Sequence, residues 1–121
     1  MAYVNEGDSI LVSVKKLLGL DASYTEFDTD IIIHINSVFS ILQQLGVGPD
    51  NGFAITGDSE TWSQYTNSKL EIRDVISYMY MRVKMLFDPP TNSSILNSYK
   101  DMINEFEWRL NVAVDPGDTT G

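Results

Sequence analysis

The sequence predicts an all-α fold, a four-helix bundle-like single domain with a long loop between the second and third helices. Apolar residues recur at helical spacing in four segments, and turn-forming glycine or proline follows the first three of them. At 121 residues without a cysteine, the chain is long enough for one hydrophobic core without disulfides. We expect a helical domain over residues 1–113 and a flexible acidic tail over residues 114–121.

The first predicted helix spans Asp8 to Leu18, with Asp8 or Ser9 as its cap and Gly19 placed to end it. The second runs from about Thr29 to Leu45. Asp28 is predicted as its N-cap, and Gly46 terminates it.

Residues 46–68 are rich in Gly, Asn, Asp, Ser and Thr, and they favour a loop that includes at most a short strand or β-hairpin. A loop of this length is usually functional or mobile. The third helix follows from about Lys69 to Phe87 and stops at two prolines. The fourth begins near Asn92 or Ser93 and ends near Asn111 or Ala113.

Helical-wheel positions separate an inward stripe from outlying hydrophobic residues on each long helix. The stripes include Leu42 on the second helix, Leu86 on the third, and Ile95 and Met102 on the fourth. The outliers are Ile33, Tyr78, Met81, Met85 and Trp108. Aromatic residues and methionine are enriched at protein contacts, so these outliers predict a helical subunit that buries more than one face.

Little in the sequence indicates catalysis or metal binding. His34, the only histidine, lies four residues after Asp30, but no second histidine, cysteine or serine nucleophile motif accompanies the pair. Glu105 and Glu107 lie about 200° apart on a helix and cannot converge from that helix alone. We therefore predict no enzyme activity, no metal and no cofactor.

The net charge of −9 is concentrated in residues 1–68, which hold 9 acids against 2 lysines. Acidic surfaces repel phosphate, which disfavours a DNA-gripping patch. The scattered cations, Lys15, Lys16, Arg73, Arg82 and Lys84, are expected to pair with acids of neighbouring subunits. The longest apolar run is interrupted at His34, so no membrane span is predicted.

The order of four segments resembles a known family. A first helix "ILVSVKKLLGL", then "EFDTDIIIHINSVFSILQQLGVGP", then "VISYMYMRVKMLFDPP" and a closing "INEFEWRLNVA" are similar to the small head–tail connector, or adaptor, proteins of tailed phages and prophages of Gram-positive bacteria. The resemblance covers residues 8–114.

The resemblance implies a structural virion protein made in the bacterial cytoplasm. It forms a ring of about twelve copies beneath the portal, links capsid to tail, and receives a downstream neck or tail-completion protein. DNA passes through the channel without specific binding. The expected interface residues are Ile33, Tyr78, Met81, Met85 and Trp108 on the helices, with Phe53, Ile55 and Trp62 in the loop. The tail after Ala113 is expected to order on portal docking.

Two other interpretations remain open from the residues alone. An acidic helical module could sequester a basic partner, although the third and fourth helices are nearly neutral. A small hydrolase could use His34 with Asp28 or Asp30.

Overall fold

A computed structural model describes residues 7–65 and 72–114, and it confirms the all-α fold. Within this part of the chain the helices are α1 (Ile10–Leu17), α2 (Asp28–Gln44), α3 (Trp62–Tyr65), α4 (Ile72–Phe87) and α5 (Ser93–Val114). The four predicted helices are present, and the single-turn α3 is additional. Residues 115–121 and the predicted start of the third helix at Lys69 lie outside the described residues.

Local capping explains where α1 and α5 begin. The Ser9 hydroxyl accepts a hydrogen bond from the amide of Val12, and the Asn92 side chain accepts from the amides of Ser94 and Ile95. Gly19 and Gly46 follow α1 and α2 with φ values of 86° and 83°, which glycine adopts without a Cβ clash. The turn residues identified in the sequence therefore do end these helices.

The prediction that Asp28 caps α2 is wrong. Asp28 is the first residue of α2, and Phe27 at the cap position makes no side-chain capping bond. The Asp28 carboxylate instead lies 2.8 Å from Nζ of Lys15 on α1. The charge-assisted hydrogen bond to the buried ammonium of Lys15 is stronger than a capping bond to a backbone amide that water can reach.

Helix α4 is the central element, and it contacts α1, α2 and α5. Met81 and Val83 lie about 160° apart around this helix, yet both are buried. Tyr78 and Tyr80 hydrogen-bond to residues of α5, so α5 covers the arc between them, where Met81 lies. Val83 lies on the other side, toward α1 and α2. Helix α4 therefore packs against α2 on one side and α5 on another, and the Asn111 side chain of α5 also donates to the carbonyl of Leu45 at the end of α2, at 3.1 Å.

The long loop is folded onto α1 and α2, and no strand forms in it over the described residues. Asn36 of α2 binds both backbone groups of Ile55, accepting from the amide at 2.8 Å and donating to the carbonyl at 3.0 Å. The amide of Ile10 donates to the carbonyl of Glu60, and the amide of Trp62 donates to the carbonyl of Asp8. These backbone hydrogen bonds hold the end of the loop beside the start of α1. Its apolar residues thus complete the core.

Candidate subunit and partner interface

The eight residues predicted for the interface divide into three groups. Ile33 and Trp108 are exposed, with 56% and 68% of their surfaces accessible to solvent. Met85 and Phe53 are partly buried and pack against the core. The remaining four are buried within the chain, namely Tyr78, Met81, Ile55 and Trp62.

The apolar residues of the loop have partners inside the same chain. The indole of Trp62 donates a 3.1 Å hydrogen bond to the hydroxyl of Ser13 on α1. Phe53, which is partly buried, packs its ring 5.1 Å from Phe39 and 5.4 Å from Tyr65. These contacts explain the apolar character of the loop without a second subunit, so a role for these residues between subunits stays a prediction.

Ile33 lies on an uncharged outer face of α2. Ser37, Ser40 and Gln44 share an arc of about 60° with it, and all are exposed. This arc lies on the side of α2 opposite the buried Leu42. No Asp, Glu, Lys or Arg occurs between Asp30 and Asp50. We call these four residues the α2 face.

Trp108 lies on the outer side of α5, about 150° from the buried Ile103 and Leu110. Asp101, Asn104 and Val112 are exposed on the same side. Arg109 nearby pairs with Glu105 at 2.6 Å, one turn before it. We call Asp101, Asn104, Trp108 and Val112 the α5 face.

A hydrogen-bonded network fixes how α5 sits on α4. The buried Tyr78 hydroxyl donates to Glu107 at 2.7 Å and accepts from Nε of Arg82 at 3.1 Å, and Arg82 also pairs with Glu107. Burial and the bond to Glu107 raise the pKa of Tyr78 to about 12, against the smaller opposing effect of Arg82. Burial alone raises the pKa of Glu107, but the bonds from Tyr78 and Arg82 outweigh it and leave that pKa lowered.

The expectation that the cations pair with neighbouring subunits is corrected at three positions. Arg82 binds Glu107 of the same chain, Lys15 binds Asp28, and Lys84 binds Asp88 at 3.2 Å. Lys15 is 1% exposed and also donates to the carbonyl of Ala22 at 3.0 Å. A lysine this buried requires such partners, since an unpaired ammonium loses its hydration.

Three residues assigned to inward stripes are exposed instead: Leu86 at the end of α4, and Ile95 and Met102 on α5. Leu86 belongs to a surface that the sequence did not reveal. Tyr24, before α2, contacts Phe27 with ring centroids 5.8 Å apart, and Phe27 contacts Phe87 at 5.3 Å. We call Tyr24, Phe27, Leu86 and Phe87 the aromatic end. In the sequence, the signal for this surface was the pair Tyr24 and Phe27, spaced three residues apart among the acids of "DASYTEFDTD".

The side chain of His34 is half-buried beside the core stripe of α2. Over the described residues, no group of three or more His, Asp or Glu side chains is arranged to hold a metal ion. No helix in that part of the chain is long and apolar enough to cross a membrane.

A family model described as "Phage connector protein" matches residues 10–117, which is most of the chain. The chain belongs to the phage connector protein family. Neither the curated proteins nor the solved structures include a significant match to it. The resemblance found in the sequence is thus confirmed at the level of the family, while the Gram-positive host stays an expectation.

Family membership gives the connector its general role. It is a structural component of the phage particle that acts at the neck. The family implies association with other head and tail proteins of the phage. The helical fold and the two exposed outer faces are the features on which a finer assignment depends.

Proposed function

We propose that the connector assembles into a closed ring beneath the portal, where it links the capsid to the tail and extends the DNA channel. The resemblance to adaptor proteins implies about twelve copies, and ring closure requires a head-to-tail contact between subunits. In this proposal the connector has no enzyme activity and binds no cofactor. Its partners are copies of itself, the portal and the next neck or tail-completion protein.

The exposure of Ile33 and Trp108 on the outer faces of two different helices is the observation that carries the proposal. Ile33 lies on α2 and Trp108 on α5, and α4 packs against both of these helices. Two different exposed faces on one subunit suit a heterologous contact, which builds rings or filaments. A two-fold dimer needs only one face that complements itself. We therefore pair the α5 face of one copy with the α2 face of the next.

The charge distribution supports this pairing. Copies of a chain with a net charge of −9 repel one another, so their contact is favoured where at least one of the two faces carries no acid. The α2 face is uncharged. Trp108 is the residue type most often found as the energetic centre of such a contact.

The size of the α2 face predicts weak pairing between two isolated copies. Helix α2 has 17 residues and is about 25 Å long, so its face buries a few hundred Å², against about 800 Å² per partner in a standard stable complex. We expect a monomer at micromolar concentration. The ring becomes stable when the portal gathers the subunits and the last contact closes it.

The acidic composition suits a channel for DNA. Packaged DNA must move through the neck, and a lumen that repels phosphate keeps the duplex from binding its wall. The near absence of metal-ligand and nucleophile motifs agrees with a structural role.

The absence of native cysteine allows a direct test by crosslinking. Ser37 lies one turn from Ile33, and Asn104 lies one turn from Trp108, so the double variant Ser37→Cys/Asn104→Cys leaves both hydrophobic residues in place. With a short bis-maleimide at high protein concentration, or on portal, we expect a ladder of dimers, trimers and larger products. Each single variant should stay monomeric.

Matched controls separate the proposed contact from random collision. Lys16→Cys/Asn104→Cys places the first cysteine at an exposed site on α1 and should give no ladder. Adding Trp108→Asp to the reactive pair should abolish the ladder. Dimers from either single-cysteine variant would instead indicate a two-fold contact and contradict the head-to-tail pairing.

A further inference from the structure

We infer that the aromatic end docks a segment of a different protein that combines apolar side chains with arginine or lysine. This surface is separate from the α2 and α5 faces. The inference rests on the proposed function in one respect, since it takes that different protein to be a neighbour of the connector in the phage neck.

The three rings of the aromatic end are in contact although they come from two parts of the chain, and the exposed Leu86 precedes Phe87 in sequence. Tyr24 and Phe27 come from the link between α1 and α2, and Leu86 and Phe87 come from the last turn of α4. Edge-to-face ring contacts run from Tyr24 to Phe27 and from Phe27 to Phe87. These contacts hold the rings in fixed positions before any partner binds, which reduces the entropy that binding must remove.

The exposed area of this surface is large for a small domain. Tyr24 is 45% exposed, Phe27 is 38% exposed and Leu86 is 53% exposed. With large apolar side chains offering about 150–250 Å² each, these three residues leave roughly 300 Å² in contact with water. Patches of this size on monomers are often functional.

The charges around the aromatic end determine which partner fits. Glu26 precedes Phe27 and Asp30 lies in the first turn of α2, and both are exposed. Residues 17–68 contain 7 acids and no Lys or Arg. The nearby cations Lys15 and Lys84 are already bound to Asp28 and Asp88. The rim is therefore negative and complements a basic segment.

The α2 and α5 faces of a second copy do not match the aromatic end. The α2 face is uncharged. On the α5 face Trp108 lies beside Asp101, and the neighbouring Arg109 is paired with Glu105. Nucleic acid is disfavoured by the same negative rim. An amphipathic basic segment from another protein would pack its apolar side chains against the rings and pair its cations with the acids.

A synthetic peptide probes this chemistry directly. The peptide is an amphipathic helix of leucine, alanine and arginine, and its matched control replaces every arginine with glutamate. Binding is followed by amide NMR shifts of the full chain. We expect the arginine peptide to shift resonances of residues 20–31 and 84–88, to weaken with added salt, and to bind at least about tenfold more tightly than the glutamate peptide.

Two variants test the two parts of the surface. Leu86→Ser removes an exposed apolar side chain and should weaken binding at least about threefold. Glu26→Lys/Asp30→Lys keeps the rings and reverses the charge, so it should reverse the preference between the two peptides. Ile33→Ser, on the α2 face, is the matched control and should bind the arginine peptide as the unaltered chain does.

Several outcomes would overturn the inference. These are equal binding of both peptides, shifts centred on Ile33 or Trp108, or no shifts at millimolar peptide. Concentration-dependent shifts at the aromatic end without peptide would show that a second copy covers it, and would also overturn it. When Glu26→Lys/Asp30→Lys is added to the Ser37→Cys/Asn104→Cys chain, the crosslinked ladder should still form. A failure of the docking inference is therefore distinguishable from a failure of the proposed ring.

Discussion

The hydroxyl of Tyr78 on α4 donates a 2.7 Å hydrogen bond to Oε2 of Glu107 on α5. This bond fixes the rotation of α5, because Glu107 must point toward α4 to accept it. The next residue, Trp108, is then turned about 100° further around the helix and faces solvent. The contact inside the subunit thus sets the direction of the residue that we assign to the contact between subunits.

Replacing Tyr78 with Phe removes the hydroxyl and keeps the ring in the core. Glu107 retains its bond to Arg82, so we expect the free energy of unfolding to fall by about 0.5–1.5 kcal/mol. Urea denaturation measures this change. Arg109→Ala breaks an exposed pair one turn away and should change the free energy of unfolding by less than about 0.5 kcal/mol. Equal effects of the two variants would contradict a specific role for the buried bond.

Acid should weaken the attachment of α5. The pKa of Glu107 is raised by burial but lowered more strongly by the bonds from Tyr78 and Arg82, and it lies below its ordinary value of 4.5. A carboxyl with a lowered pKa in the folded state contributes stability that is present above pH 4.5 and is lost as pH falls through the folded pKa. Glu107→Gln should therefore flatten the acid limb of stability against pH. An unchanged slope would contradict this role.

The two members of the Lys15–Asp28 pair should respond differently to substitution. Asp28→Ala leaves the ammonium of Lys15 buried without its counterion and should lower the free energy of unfolding by up to about 3 kcal/mol. This is the low end for a buried pair, because the Asp28 side chain is 26% exposed. Lys15→Met removes the buried charge and should cost less. A larger cost for Lys15→Met in thermal denaturation would contradict this account.

Asn36 should control the order of the long loop. Asn36→Ala leaves the buried amide and carbonyl of Ile55 without their partner, which should cost about 1–3 kcal/mol. We expect faster cleavage of residues 46–61 in limited proteolysis. Gln43→Ala also removes a side-chain bond to this loop, at Asp50, but an exposed one, and it should leave the cleavage rate nearly unchanged. A similar rate for both variants would contradict the anchoring role.

Helix positions were predictable from sequence because their signals are local. Gly19 and Gly46 end their helices, and the apolar period of α2 identifies Leu42 and its neighbours as core. The helical wheel placed Tyr78 and Met81 outside the core stripe of α4, and it did not anticipate that they are buried within the subunit, because it allows one buried stripe per helix. Central α4 has covered sides facing both α2 and α5, so residues that look outlying are buried.

The errors at Leu86, Ile95 and Met102 have a different origin. The apolar periodicity of a helix predicts which of its sides faces the core. How much of that side is buried depends on where the neighbouring helix ends. The pairing of Lys15 with Asp28 likewise depends on tertiary distance, which spacing along the chain does not give. The aromatic end combines the link before α2 with the end of α4, so no single segment reveals it.

The central claim is that connector subunits close into a ring on the portal. The most direct measurement is electron microscopy of the connector mixed with the portal of its own phage. We expect a ring of connector density on one end of the portal, present with the unaltered chain and lost with Trp108→Asp or Ile33→Asp. Ordered rings formed equally well by both variants would contradict the assigned faces, and portal particles without connector density would contradict the ring itself.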